Sequence, residues 1–119
     1  MNDFLTIAKA LSDETRVRAL LSLAQGELCL CQVVDLLRLS PSTVSKHMSV
    51  LGKAGLVARR RDGRWIHYRL SGASPTARAA LRWARRSLEG DKALADDARR
   101  VCCIRGKDLN EVANCCYKE

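Results

Sequence analysis

The six cysteines of this 119-residue chain stand in three close pairs: Cys29 with Cys31, Cys102 with Cys103, and Cys115 with Cys116. Adjacent thiols make an awkward disulfide framework, and a reducing compartment keeps thiols free. Sulfur donors gathered in twos and threes suit a soft metal or metalloid instead. Two other readings stand beside that one: a redox switch, in which neighbouring thiols close into disulfides, and cysteines buried as ordinary small apolar side chains. Both histidines, His47 and His67, lie in the first 70 residues, so the two later pairs have no imidazole near them in the chain.

Charge points to a second chemistry. The formal net charge is +8, and half of that excess falls in residues 57–70, VARRRDGRWIHYRL, where five arginines face one aspartate. A concentrated basic segment of this kind suggests phosphate contact, and its alternative is a solvated arginine-rich hairpin. Five aromatic residues are too few for a single-strand binder built on stacked rings. No run approaches the roughly 18 apolar residues of a membrane span. The first residues are amphipathic and carry acids early, unlike a secretory signal, so the expected compartment is the cytoplasm.

The elements that position these residues are mostly helical. Phe4, Ile7, Ala8 and Leu11 form a short stripe. Ser12 or Asp13 then caps a second helix carrying Val17, Leu20, Leu21 and Ala24. Val33, Leu36 and Leu37 make one face of a third. Ser40 as N-cap and Pro41 at the first position open a fourth helix that runs to about Ala54, with Val44, Met48 and Leu51 inward. Those last two helices form a helix-turn-helix. Leu56–Arg60 and Arg64–Leu70 read as strands around Asp62-Gly63, a strong hairpin signal. The expected fold is mainly α with a two-stranded β-hairpin, a winged helix-turn-helix.

The fourth helix is the natural reader of double-stranded DNA. Its polar face presents Ser42, Thr43, Ser45, Lys46 and His47 to the major groove, while Arg60, Arg61 and Arg64 of the wing hold the backbone or minor groove. His47 has an alternative as a capping or packing histidine, and His67 is read as a strand residue pairing across the hairpin. After the wing, Ser74-Pro75 opens a long helix whose Ala77, Leu81, Ala84 and Leu88 make a narrow stripe. With Phe4 of the first helix, that stripe is assigned to a homodimer interface, because two readers related by a twofold axis read a palindromic operator.

The segments LSDETR (11–16), GELCLC (26–31), LSPSTVSKHMSVLGKAGLV (39–57) and RDGRWIHYRL (61–70) resemble the ArsR/SmtB family of dimeric winged-helix metal-sensing repressors, in its arsenic-responsive branch. The resemblance spans roughly residues 4–71 and implies a homodimer that blocks a promoter and releases it when its inducer binds. Arsenic-responsive members often carry Cys-x-Cys-x-x-Cys at the start of the first helix of the helix-turn-helix. Cys29 and Cys31 match the first two positions, but Val34 occupies the third. Trivalent arsenic and antimony favour a pyramid of three thiolates, and residues two apart on a regular helix point to nearly opposite faces.

The C-terminal four, Cys102, Cys103, Cys115 and Cys116, are therefore the first candidates for the ligands, and Cys29 and Cys31 the second. Gly106 separates the two C-terminal pairs, which meet by folding back or by reaching across the dimer. Zinc sensors of the family use histidine and carboxylate ligands that nothing here matches. Trivalent arsenic or antimony ranks first, cadmium or lead second, and an organoarsenical needing two sulfurs stays open. No organic cofactor is expected. The domain reading is residues 1–90 for DNA binding and dimerisation and 91–119 as a cysteine-containing inducer-binding extension. An enzyme is not expected, for the chain has no Cys-x-x-Cys, no phosphate-binding glycine loop and no nucleophile–histidine pairing outside the DNA face.

Overall fold

Each long helix starts at a side chain that its own sequence supplies. A computed structural model describes residues 1–110 and Val112. Asp13 accepts from the Arg16 backbone N–H at 3.0 Å, Ser40 from Thr43 at 3.2 Å, Ser74 from Ala77 at 3.0 Å and Asp91 from Leu94 at 3.2 Å. These contacts satisfy backbone donors that the first helical turn leaves unpaired. The resulting order is α1 (Asn2–Ala10), α2 (Glu14–Ser22), β1 (Leu28–Cys29), α3 (Leu30–Leu37), α4 (Pro41–Lys53), β2 (Val57–Asp62), β3 (Trp65–Leu70), α5 (Pro75–Ser87) and α6 (Lys92–Arg105).

The expected winged helix-turn-helix forms, with three differences. First, the sheet has three antiparallel strands in the order β1-β3-β2, not two. Leu28 pairs with Tyr68 and Cys29 with His67, so a segment read as a connection becomes a strand by pairing with a partner far along the chain. Second, Asp62 pairs with Trp65, which makes Gly63-Arg64 the two-residue loop. Gly63 has φ +60 and Arg64 is not among the positive-φ residues, the pattern of a II′ turn with glycine first. Third, Ala8 is exposed rather than inward, while Ala10 is fully buried.

The core lies where α2, α3 and α4 meet the sheet. Leu20, Leu36, Val44, Met48, Leu51 and Leu56 are its large, fully buried members. Arg38 ends α3 in the left-handed conformation, with φ 57, and the chain turns at once into α4. That tight reversal fixes the angle between the two helices of the motif.

A long-range ion pair holds α6 against α2. The Arg18 guanidinium donates to both oxygens of Asp97, from Nε at 2.8 Å and from its terminal nitrogen at 2.9 Å. Asp97 is buried while the Arg18 side chain keeps 28% of its surface, so the pair is shielded on the carboxylate side, and its hydrogen bond to Arg18 raises the guanidinium pKa. Removing one partner of a shielded pair leaves an uncompensated charge, at a cost of about 3 kcal/mol. Arg18→Met is accordingly expected to lower stability to urea by about that amount, measured as the shift in denaturation midpoint. An unchanged midpoint would show that water solvates Asp97 freely.

Candidate nucleic-acid interface and thiol site

Helix α4, the expected reader, divides as its periodicity requires. Val44, Met48 and Leu51 are buried, while Ser42, Thr43, Lys46 and Ser49 are exposed. Thr43 is held by the Ser40 hydroxyl, which donates to its Oγ1 at 2.8 Å. Ser45 and His47 are half-buried and tied inward. Ser45 hydrogen-bonds the Tyr68 hydroxyl on β3, and burial, the largest influence on that phenol, raises its pKa. The Arg16 guanidinium of α2 approaches His47 Nδ1 at 3.4 Å. An arginine can only donate, so Nδ1 is the accepting atom of this contact. Of the five residues assigned to base reading, Ser42, Thr43 and Lys46 thus stand outward, and two brace the helix as well.

The wing arginines are engaged to different degrees. Arg60 grips Glu27 from the loop before β1, with its shortest contact at 2.7 Å, and this bond depresses the Glu27 pKa and raises that of Arg60. His67 Nδ1 lies 3.7 Å from the same carboxylate. Arg61 donates to the Gly63 carbonyl at 3.3 Å. Arg64 lies 4.4 Å from the centre of the Trp65 ring and donates to Asn110 beyond α6. All three remain exposed. Glu27, a partner the sequence reading missed, becomes visible as one only when β1 joins the sheet.

The four described cysteines fall into two different environments. Cys29 and Cys31 are buried, at 1% and 0% exposure, in a small cluster closed by Trp65, Leu109 and Val112. They do not diverge as two residues of a regular helix would. Cys29 is the extended N-cap of α3, with φ -72 and ψ 151, and only Cys31 has entered the helix. Gln32 Oε1 accepts from the Cys29 backbone N–H at 2.8 Å and fixes that start. The two sulfurs are consequently hydrogen-bonded to each other. That bond, supported by the backbone N–H groups of Cys31 and Ile66 and by the His67 ring, outweighs burial and lowers the Cys29 pKa to about 6.

Cys102 and Cys103 lie exposed near the end of α6, and Cys103 faces a cleft with Arg99, Arg100 and Lys107. Cys115 and Cys116 lie outside the described residues. Among the described residues no three metal-ligating side chains gather at one place.

The stripe assigned to dimerisation is partly used within the subunit. Ala77 and Ala84 are buried, Leu81 and Leu88 half-buried, and Phe4 is 64% exposed. Leu5 and Trp83 add exposed apolar surface that the stripe did not include. Among the described residues no helix is long and apolar enough to cross a membrane.

A polar-faced helix beside an arginine-rich hairpin defines a winged helix-turn-helix DNA-binding protein. Residues 13–59 match the model of the bacterial regulatory protein, arsR family. The chain is 34% identical over 115 residues to the arsenic resistance transcriptional regulator ArsR2 of Pseudomonas putida, covering 92% of this chain and 95% of that one. It is 40% identical over 74 residues to the arsenical resistance operon repressor of Escherichia coli, covering 61% and 63% of the two chains. A homodimeric winged helix-turn-helix DNA-binding domain from Mycobacterium bovis superposes with a TM-score of 0.64 at 27% identity, over 77% of this chain and 84% of that one. The chain belongs to the arsR family of DNA-binding transcription regulators.

The lowered Cys29 pKa carries a sign. Because it drops from about 9 to about 6 on folding, its stabilising contribution is present above pH 9 and is lost as the pH falls through about 6. Thiolate absorbance near 240 nm is expected to titrate close to pH 6 in the folded protein. In Cys29→Ser that step should vanish, and the stability difference from wild type should widen from pH 6 to pH 9. A first thiolate appearing only near pH 9 would refute the arrangement.

Proposed function

We propose that this chain is a homodimeric repressor that holds a palindromic operator and releases it when its thiolates coordinate trivalent arsenic or antimony. The observation that carries the reading is the exposed polar face of α4, with Ser42, Thr43 and Lys46 outward, beside the exposed wing arginines Arg60, Arg61 and Arg64. Cys29, in the second candidate pair of thiols, is paired to His67 on β3, the strand that forms one side of the wing. The names of the Pseudomonas putida and Escherichia coli relatives support arsenic as the inducer, and an all-sulfur donor set suits it chemically.

The dimer places two α4 helices in successive major grooves. Ser42, Thr43, Ser45, Lys46 and His47 face or support base edges there, and Arg60, Arg61 and Arg64 reach phosphate. Phe4, Leu81 and Leu88 supply apolar surface between subunits, with Ala77 and Ala84 backing them from within. The ligands come from Cys102, Cys103, Cys115 and Cys116, with Cys29 and Cys31 as the remaining thiols. Coordination needs only to favour a dimer geometry that fits DNA poorly, and a coupling of about 1–3 kcal/mol, or about 5–150-fold in affinity, is ordinary for such linkage.

Operator binding measured with arsenite, antimonite, cadmium and peroxide tests the reading. Arsenite or antimonite is expected to weaken binding by about 5–150-fold. The variant Cys102→Ser/Cys103→Ser/Cys115→Ser/Cys116→Ser should bind the operator as wild type does and fail to release it. Release by peroxide alone would favour thiol oxidation, and release by cadmium alone a divalent-metal sensor. Separately, Phe4→Asp/Leu81→Asp is expected to sediment as a monomer and to lose operator binding. A variant that stays dimeric would place the interface elsewhere.

A further inference from the structure

Past Gly106, the C-cap of α6, the chain makes one more short helical turn. Asp108 opens it: its side chain accepts from the Asn110 backbone N–H at 2.9 Å, and its carbonyl accepts from that of Val112 at 3.1 Å. This turn lies on the Cys29–Cys31 pair. Leu109 and Val112 pack there with Trp65, and the two hydrogen-bonded thiols beneath them are fully buried. Two polar contacts moor the turn. Lys107 reaches Asp35 of α3 at 3.6 Å, and Asn110 accepts from Arg64 in the wing loop. Lys107, Asn110 and Arg64 are all exposed, and exposed contacts contribute little. Two apolar side chains therefore do most of the holding, and a segment with so few buried contacts opens at far lower free energy than the domain unfolds.

We propose that the segment carrying Lys107, Leu109, Asn110 and Val112 is a hinged cover, pivoting at Gly106, whose opening alone admits reagents or ions to Cys29 and Cys31. The cover acts whichever ligand the thiols take, so it goes beyond the inducer reading above. Opening lifts Asn110 from Arg64 and strips the apolar contact from Trp65, the first residue of β3. Access to the thiols and release of the wing loop are thus one motion.

Alkylation by iodoacetamide, whose iodide the thiolate displaces, tests the cover in Cys102→Ser/Cys103→Ser/Cys115→Ser/Cys116→Ser, where Cys29 and Cys31 are the only thiols. Rates are followed by mass spectrometry at rising urea below the unfolding transition. The folded protein should react at least about tenfold more slowly than the same chain unfolded in concentrated urea. Its rate should hardly change with urea below the transition, because lifting one turn exposes little surface. Added to this background, Val112→Asp should accelerate labelling by at least about tenfold, the population shift that losing one buried aliphatic side chain brings. Arg64→Ala, which leaves the apolar contacts intact, should accelerate it by about 1.5–5-fold.

A rate that climbs with urea as steeply as global unfolding does would show that the thiols are reached only through the unfolded chain, and would overturn the cover. Labelling of the folded protein as fast as the unfolded chain would overturn it too, as would Val112→Asp and Arg64→Ala rates equal to the parent's. Should Val112→Asp fail to fold, the urea dependence and Arg64→Ala decide between the same outcomes.

Discussion

Cys29 is at once the last residue of a strand and the cap of a helix. An N-cap residue is extended while its neighbour is helical, so it can pair in a sheet without disturbing the helix it opens. Here that residue pairs with His67 and hands the chain directly to α3. The sheet, the first helix of the helix-turn-helix and the buried thiols are thereby joined through one backbone position. The Ser45–Tyr68 hydrogen bond extends the joint to the reader helix, because Tyr68 is the β3 residue opposite Leu28. Helix α4, the wing and the Cys29–Cys31 pair are thus joined through β3.

The wing's electrostatics fit a surface that exchanges partners. Arg60 is paired with Glu27 and Arg64 with Asn110, yet both stay exposed, and exposed pairs contribute little to stability. Phosphate can replace such partners at small cost, and the counterions released from DNA favour the exchange. The buried contacts behave differently. Arg18–Asp97 is shielded and joins residues 79 apart in sequence, which suits a permanent anchor for the helix carrying Cys102 and Cys103.

The helix starts were legible because they are local. Ser40-Pro41 and Ser74-Pro75 complete their capping contacts within three residues, so no distant partner is needed to recognise them. The inward set of α4 was legible for the same reason, since Val44, Met48 and Leu51 repeat at the helical period. The hairpin was legible in kind and shifted in detail: an Asp-Gly pair signals a turn, but the cross-strand register decides which two residues occupy it.

Amino-acid order alone therefore determined the family, the basic wing and the polar reader face, all of which arise from neighbours in the chain. Only the tertiary structure decided that Leu28-Cys29 is a strand, that Cys29 and Cys31 converge, and that Leu109 and Val112 cover them. A two-residue segment has no periodicity of its own to read. Its conformation comes from a ladder with residues 67 and 68, and the approach of the two sulfurs follows from the extended-to-helical break at that ladder's end.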